Sequence, residues 1–326
     1  MDEIRIYGFD GVGGVQRLAP EQMDARPPET PDGGFVWAHV DGASEAGRDW
    51  LEAAGLDRLE IEALLAEETR PRCTLHGDIA LMNLRGVNLN PGAEPEDMIS
   101  VRLFVSARMM ITVQMRALQA LVDLMTALDR GQGSTTPGDL IARLALRLAD
   151  RAEPVVAALN ERADQLEDTM EEEGRGDSVM RADLADIRRT SIVMRRYMFP
   201  QRDALSTLEI EDLDWLSQRD RSRLREATER VTRLAEELDA LRDRAQVVHD
   251  QILDIRAEAM NRQMLVLSVV AAVFLPMGLV TGLLGINVGG IPGATWPHAF
   301  WAVCAMLLVI GAGQIWLFRW MGMFSR

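Results

Sequence analysis

The chain has 326 residues, 48% of them apolar, and a formal net charge of −15 from 50 acidic and 35 basic side chains. So acidic a surface attracts cations and repels phosphates, whose binding normally shows as a basic face, which argues against a nucleic-acid partner. Its two cysteines, Cys73 and Cys304, offer no disulfide framework and suit a reducing compartment.

The length suggests about two or three domains. Charge is spread unevenly along them. Glu258 is the last acidic residue and only Arg262, Arg319 and Arg326 follow it, so the balance divides into about −18 up to that point and +3 beyond. All 35 basic residues are arginine. Met1-Asp2-Glu3-Ile4 lacks the basic and apolar regions of a signal peptide, which predicts a cytoplasmic front.

From Met1 to about Met115 the pattern is one of short strands between turns, at 4–9, 35–40, 79–87 and 101–113, with helical spacing over 50–66. Mixed strands and helices predict an α/β or α+β domain, taken as α/β over residues 1–135. Gly11, Gly13 and Gly14 have neither the spacing nor the Lys-Ser/Thr of a phosphate-binding loop. Cys73 and His76 fall in a predicted strand, where side chains three apart point to opposite faces and do not share a metal. His39 stands alone, packed or exposed rather than ligating. No catalytic constellation emerges, so no enzyme and no cofactor is expected.

Residues 131–137 form a Gly, Ser, Thr and Pro linker, after which two long helices over 139–173 and 178–208 should make an antiparallel pair. Pro200 is expected to kink or interrupt the second. Glu171, Glu172, Glu173 and Asp177 project around the tip and read chiefly as a solvated end.

The rest of the chain is organised by 211–287, which predicts one helix, since neither Pro nor Gly occurs between Glu211 and Leu275. Leu224, Ala227, Val231, Leu234, Leu238, Leu241, Ala245, Val248, Ile252, Ile255 and Ala259 alternate in steps of three and four, a heptad seam for partner helices. At ~1.5 Å per residue such a helix runs on the order of 100 Å, too long for one compact domain to bury, so several subunits should share it. From Leu265 to Leu284 no charge appears, enough to cross a ~30 Å hydrocarbon layer, and 299–318 is a second such run. Arg262 and Arg319 flank the pair while the loop between has no Lys or Arg, which puts both termini in the cytoplasm. The expected division is therefore 1–135, a long-helix stalk over 136–262 and a two-helix transmembrane hairpin over 263–326.

Two spans cannot enclose a water-filled path alone. The first is the better lining helix: Asn261, Ser268, Leu275 and Gly282 fall seven apart, accompanied by Met264, Ala271 and Gly278. Small residues in a membrane helix also mean close packing, and both readings stand at this point. Gln314 in the second span is expected to bond a neighbouring helix.

Gly285-Ile286-Asn287 ends the first span and resembles the Gly-Met-Asn signature of the CorA-type family of divalent-cation transporters. The Ile variant, with Gly289-Gly290-Ile291-Pro292-Gly293 behind it, is similar to the zinc transporter ZntB branch of that family, as are Trp37-Ala38-His39-Val40-Asp41 and Arg85-Gly86-Val87-Asn88-Leu89-Asn90. The resemblance implies a homopentameric funnel in the inner membrane, first spans around the axis and second spans outside. It implies a selectivity filter of Gly285, Ile286 and Asn287, with Asn287 holding a hydrated ion. Leu267 and Leu275 would be apolar constrictions, and Asp250, Asp254 and Asn261 an inner relay. The outer loop carries no acid, only His298, which favours Zn2+ over Mg2+ as cargo. A Mg2+ channel of the same fold and a non-conducting membrane-anchored coiled-coil sensor are the alternatives.

Overall fold

A computed structural model describes residues 3–19, 33–67, 69–173, 178–286, 289–291, 293 and 295–321, with the backbone alone at 171–173 and 178. It divides into two units, Met1–Asp250 and Gln251–Arg326. The first is built on a sheet of seven strands: β1 (Ile4–Phe9), β2 (Val15–Leu18), β3 (Phe35–Asp41), β4 (Arg72–His76), β5 (Ile79–Gly86), β6 (Ile99–Val105) and β7 (Met109–Gln114), in the order β2-β1-β3-β7-β6-β5-β4. Only β3 and β7 run parallel.

β3 is buried without a break from Phe35 to Val40 because it is central and covered on both sides. Val36, Ala38 and Val40 join Ile6, Ile111, Val113 and Phe104 under Leu51 of α1 (Glu45–Ala53) and Leu64 of α2 (Arg58–Leu65). On the opposite face Tyr7 stacks on Trp37 and donates to Asp129 of α3 (Gln119–Asp129) at 3.1 Å. Helices α4 (Pro137–Glu173) and α5 (Ser178–Ile210) cover the same face. Gly86 permits the approach of α4, since a Cβ there would lie 2.7 Å from Leu148 and 2.8 Å from Leu118.

His39 is packed inside this layer. Its Nδ1 lies 2.9 Å from the Thr112 hydroxyl, which also accepts from Trp37 Nε1 at 2.9 Å. Burial, reinforced by the Arg5 charge, pushes its pKa from 6.5 down to about 4. The unfolded chain takes up a proton that the folded one refuses, so this contribution to stability is complete above pH 6.5 and is lost as pH falls to about 4. The loss amounts to about 3 kcal/mol at ~1.36 kcal/mol per unit. Unfolding of the full-length protein, followed by tryptophan fluorescence, should show that slope, and His39→Gln should flatten it. An equal slope in both proteins would contradict the assignment.

Several expected elements are redrawn by the structure. The run 101–113 is a hairpin of β6 and β7, closed by Ser106 N–H donating to Met109 O at 2.8 Å. The helical stretch 50–66 is two helices, split at Gly55 (φ 73) and restarted by a capping box between Asp57 and Glu60. α5 runs through Pro200 without interruption. The third long helix, α6 (Gln218–Gly285), begins later than 211. Leu213, Trp215 and Leu216 are buried in the preceding turn, and Trp215 Nε1 donates to Asp78 O at 2.8 Å. Asp220 N–H donates to Ser217 Oγ at 3.2 Å and Ser217 N–H to Asp220 Oδ2 at 3.0 Å, another capping box that starts α6. Thr136 donates to that same oxygen at 2.9 Å and also accepts from Asp139 N–H, tying together the first turns of α4 and α6.

Heptad residues Leu224 to Val248 are buried within the single chain. Along that length Arg230 pairs with Asp150 of α4 at 2.6 Å, Arg244 with Asp164 of α4 at 2.5 Å, and Arg195 of α5 with Asp239 at 2.9 Å. The partner helices of this part of the seam are thus the chain's own α4 and α5, where the periodicity had suggested other subunits.

Candidate functional site

The second unit contains the end of α6 and α7 (Ala299–Trp320), which among the described residues are the two helices long and apolar enough to cross a membrane. Val269, Val273, Met277 and Val280 are half-buried and lie on one side of α6. Met277 comes within 3.8 Å of where a Cβ on Gly311 of α7 would stand. Gln314 Nε2 of α7 donates to Ala272 O of α6 at 3.2 Å, the neighbouring-helix bond expected of that residue.

At 3.6 residues per turn, Asn261, Met264, Ser268, Ala271, Leu275, Gly278 and Gly282 fall on the side of α6 opposite those four. All are exposed, as is Leu267 at 70%, and Leu275 reaches 78%. A Cβ built on Gly278 or Gly282 meets nothing within 4 Å. These small residues therefore do not serve to bring α7 close. Among the described residues of this unit nothing packs on the stripe, while the large half-buried residues do the packing.

Gly285 closes α6 in open space and Ile286 beyond it is 49% exposed. Asn287 lies outside the described residues, as do Val288, Pro292 and Ala294. In the described part of the turn between α6 and α7, Gly290 (φ 98) and Gly293 (φ 83) take left-handed conformations suited to glycine. There Trp296 N–H donates to Gly293 O at 3.0 Å, and the Trp296 and His298 rings meet edge to face at 6.1 Å. Asp250 is exposed and accepts from Gln246 Nε2 at 2.7 Å, and Asp254, one turn on along α6, is exposed as well. Among the described residues no group of three or more His, Cys, Asp and Glu is arranged to hold a metal. The thiol of Cys73, expected not to share a metal with His76, is pushed up to about 12 by burial and by Glu211.

One feature of this unit was only half visible in the sequence. Pro276 lies inside α6 and lacks the N–H that would reach the carbonyl four residues earlier, which is Ala272. The bond from Gln314 lands on that oxygen. Counting back four from a proline in one span and looking for an amide in the other would have found the pair. Thr281, with Ser268 one of the two hydroxyl residues between Leu265 and Leu284, donates to Met277 O of its own helix at 3.0 Å.

The profile of the family described as CorA-like Mg2+ transporter protein matches residues 32–319. Over 321 residues the chain is 40% identical to the divalent cation transporter CmaX of Pseudomonas aeruginosa, covering 96% of this chain and 95% of the relative. It is 36% identical over 314 residues to the zinc transport protein ZntB of Pectobacterium carotovorum subsp. carotovorum, covering 96% and 93%. Among solved structures, the full-length CmaX protein aligns with 98% of this chain and 98% of its own, at 38% identity and a TM-score of 0.83.

Proposed function

The chain belongs to the CorA-like Mg2+ transporter family, and from that premise we propose that it carries divalent cations, zinc first among them, across the inner membrane through a homopentameric pore. The α/β domain, long helix and two apolar C-terminal helices expected from the sequence are those of the family's fold.

The observation that carries the reading is the exposed stripe from Asn261 to Gly282 on the side of α6 turned away from α7. A membrane helix that presents Asn, Ser and Gly among exposed Met, Ala and Leu on one side, with no partner for them among the described residues of its unit, has a use for that side in an assembly. Five copies would set the stripes around an axis, with α7 outside. Gly285, Ile286 and Asn287 then form the filter at the outer mouth, Leu267 and Leu275 the apolar constrictions, and Asp250 and Asp254 the inner relay. Residues 1–135 serve as the cytoplasmic α/β domain, 136–262 as the stalk and 263–326 as the membrane domain, both termini being cytoplasmic. Such a protein moves its cargo without covalent chemistry and needs no cofactor or nucleic acid.

Zinc is favoured by the loop between the spans, which lacks carboxylates and contains an imidazole, and by the relative named a zinc transport protein. Purified protein in vesicles, given Zn2+ and Mg2+ in turn, should pass Zn2+ faster. Faster Mg2+ would replace the zinc assignment with a Mg2+ channel of the same fold. An assembled oligomer that passes neither ion would leave the non-conducting sensor.

A further inference from the structure

We propose that Gln314 is a positioning residue for the ion path: from α7 it supplies the hydrogen bond that Pro276 removes from α6, and so fixes the course of the lining stripe past Leu275. This rests on the reading of α6 as the lining helix.

α6 continues through Pro276 to Gly285. A proline inside a helix has no N–H to offer, and its ring crowds the carbonyl of the residue four before it. That residue is Ala272. In hydrocarbon there is no water to pair the freed oxygen, so a helix that keeps such a proline needs a donor from a neighbour. Gln314 Nε2 lies 3.2 Å from Ala272 O, from a helix 42 residues further along the chain. The side-chain oxygen of Gln314 has no donor among the described residues, so its amide is held by this one bond.

The position gives the bond its consequence. Ala271, Leu275 and Gly278, all members of the exposed stripe, lie within one turn of Ala272 or Pro276 along α6. Pro276 removes the internal tie that would keep this turn straight, and Gln314 replaces it with an external one. The bearing of Leu275 toward the axis is then set by α7. With the bond gone, the Ala272 carbonyl must find another donor, and the turn that carries Leu275 moves with it.

The pairing makes a specific prediction about two substitutions together. In vesicles Gln314→Leu should lower divalent flux by about threefold to tenfold, the range of an interhelical hydrogen bond in a membrane. Pro276→Ala restores an N–H opposite Ala272, so Gln314→Leu introduced into that background should change flux less than about twofold. The same fold loss in both backgrounds, or no loss in either, would overturn the proposal. If Gln314→Leu does not assemble, the double variant should, by size exclusion and circular dichroism, because its helix supplies the donor. A double variant that fails to assemble as well would also overturn it. Should the unmodified protein conduct no ion at all, the transport reading falls, while the comparison of assembly still tests the bond.

Discussion

Asn287→Ala should abolish selective divalent flux while leaving the assembled protein intact. A small divalent cation holds its water tightly and prefers oxygen around it. At the mouth of the proposed pore it would be recognised through that water, by groups that accept hydrogen bonds without trapping the ion as a ring of carboxylates would. An amide oxygen meets both needs, and Asn287 directly follows Gly285 and Ile286 at the end of α6. Alanine offers no acceptor. One hydrogen bond to a charged partner is worth about 1.5–3 kcal/mol, which is about ten- to a hundredfold in occupancy, and in the proposed ring the loss would recur in every subunit. The substituted residue follows Gly285, the last residue of α6, by two positions in the sequence. Flux of Zn2+ and Mg2+ into vesicles, with size exclusion as the check on assembly, measures it. Unchanged flux and unchanged preference would remove Asn287 from the filter.

The parts of this protein legible in the sequence were those whose signal is local. β1 matched its expected bounds because Asp10-Gly11 follows it, and the two spans stood out because charge is absent over a membrane's thickness. The β6 and β7 hairpin was missed because its turn, Ser106-Ala107-Arg108, holds neither Gly nor Pro, and β2 because four residues make too short a pattern. α3 was missed although Gln119, Asp123 and Thr126 recur at helical intervals opposite the buried Leu121, Leu124, Met125 and Leu128; its acids reach out, Asp123 to Arg151 of α4 at 2.7 Å and Asp129 to Tyr7 at 3.1 Å. The break before α6 did leave a mark, Ser217-Gln218-Arg219-Asp220, whose first and last residues cap each other. Periodicity fared differently in the two halves of α6. A heptad says that a helix has a partner but not whose, and from Leu224 to Val248 the partners proved to be in the same chain. In the span, the stripe of seven-residue spacing was legible, yet its meaning depended on which side α7 takes. That is a tertiary fact, carried by Met277, Gly311 and Gln314.

Knowing the side makes the stripe testable by charge. Leu275→Asp places a carboxylate near the middle of the first span, at a residue 78% exposed in the single chain. If Leu275 faces lipid in the assembly, the carboxylate costs about 3 kcal/mol per chain, about a hundredfold in inserted protein. If it faces a common axis, water reaches it and insertion suffers little. The apolar constriction is then gone, and with it the dewetting that holds ions back at rest. Opposite signs thus separate the two cases: near-normal yield with raised resting divalent flux for a lining residue, and collapsed yield for a lipid-facing one. Val309, 71% exposed on the side of α7 away from α6, supplies the contrast. There the pore reading puts lipid, so Val309→Asp should lose about a hundredfold in inserted protein. Membrane yield by quantitative immunoblot, together with resting Zn2+ leak into vesicles, distinguishes them. A collapse of both variants alike would return Leu275 to the lipid, and with it the stripe on which the pore is built.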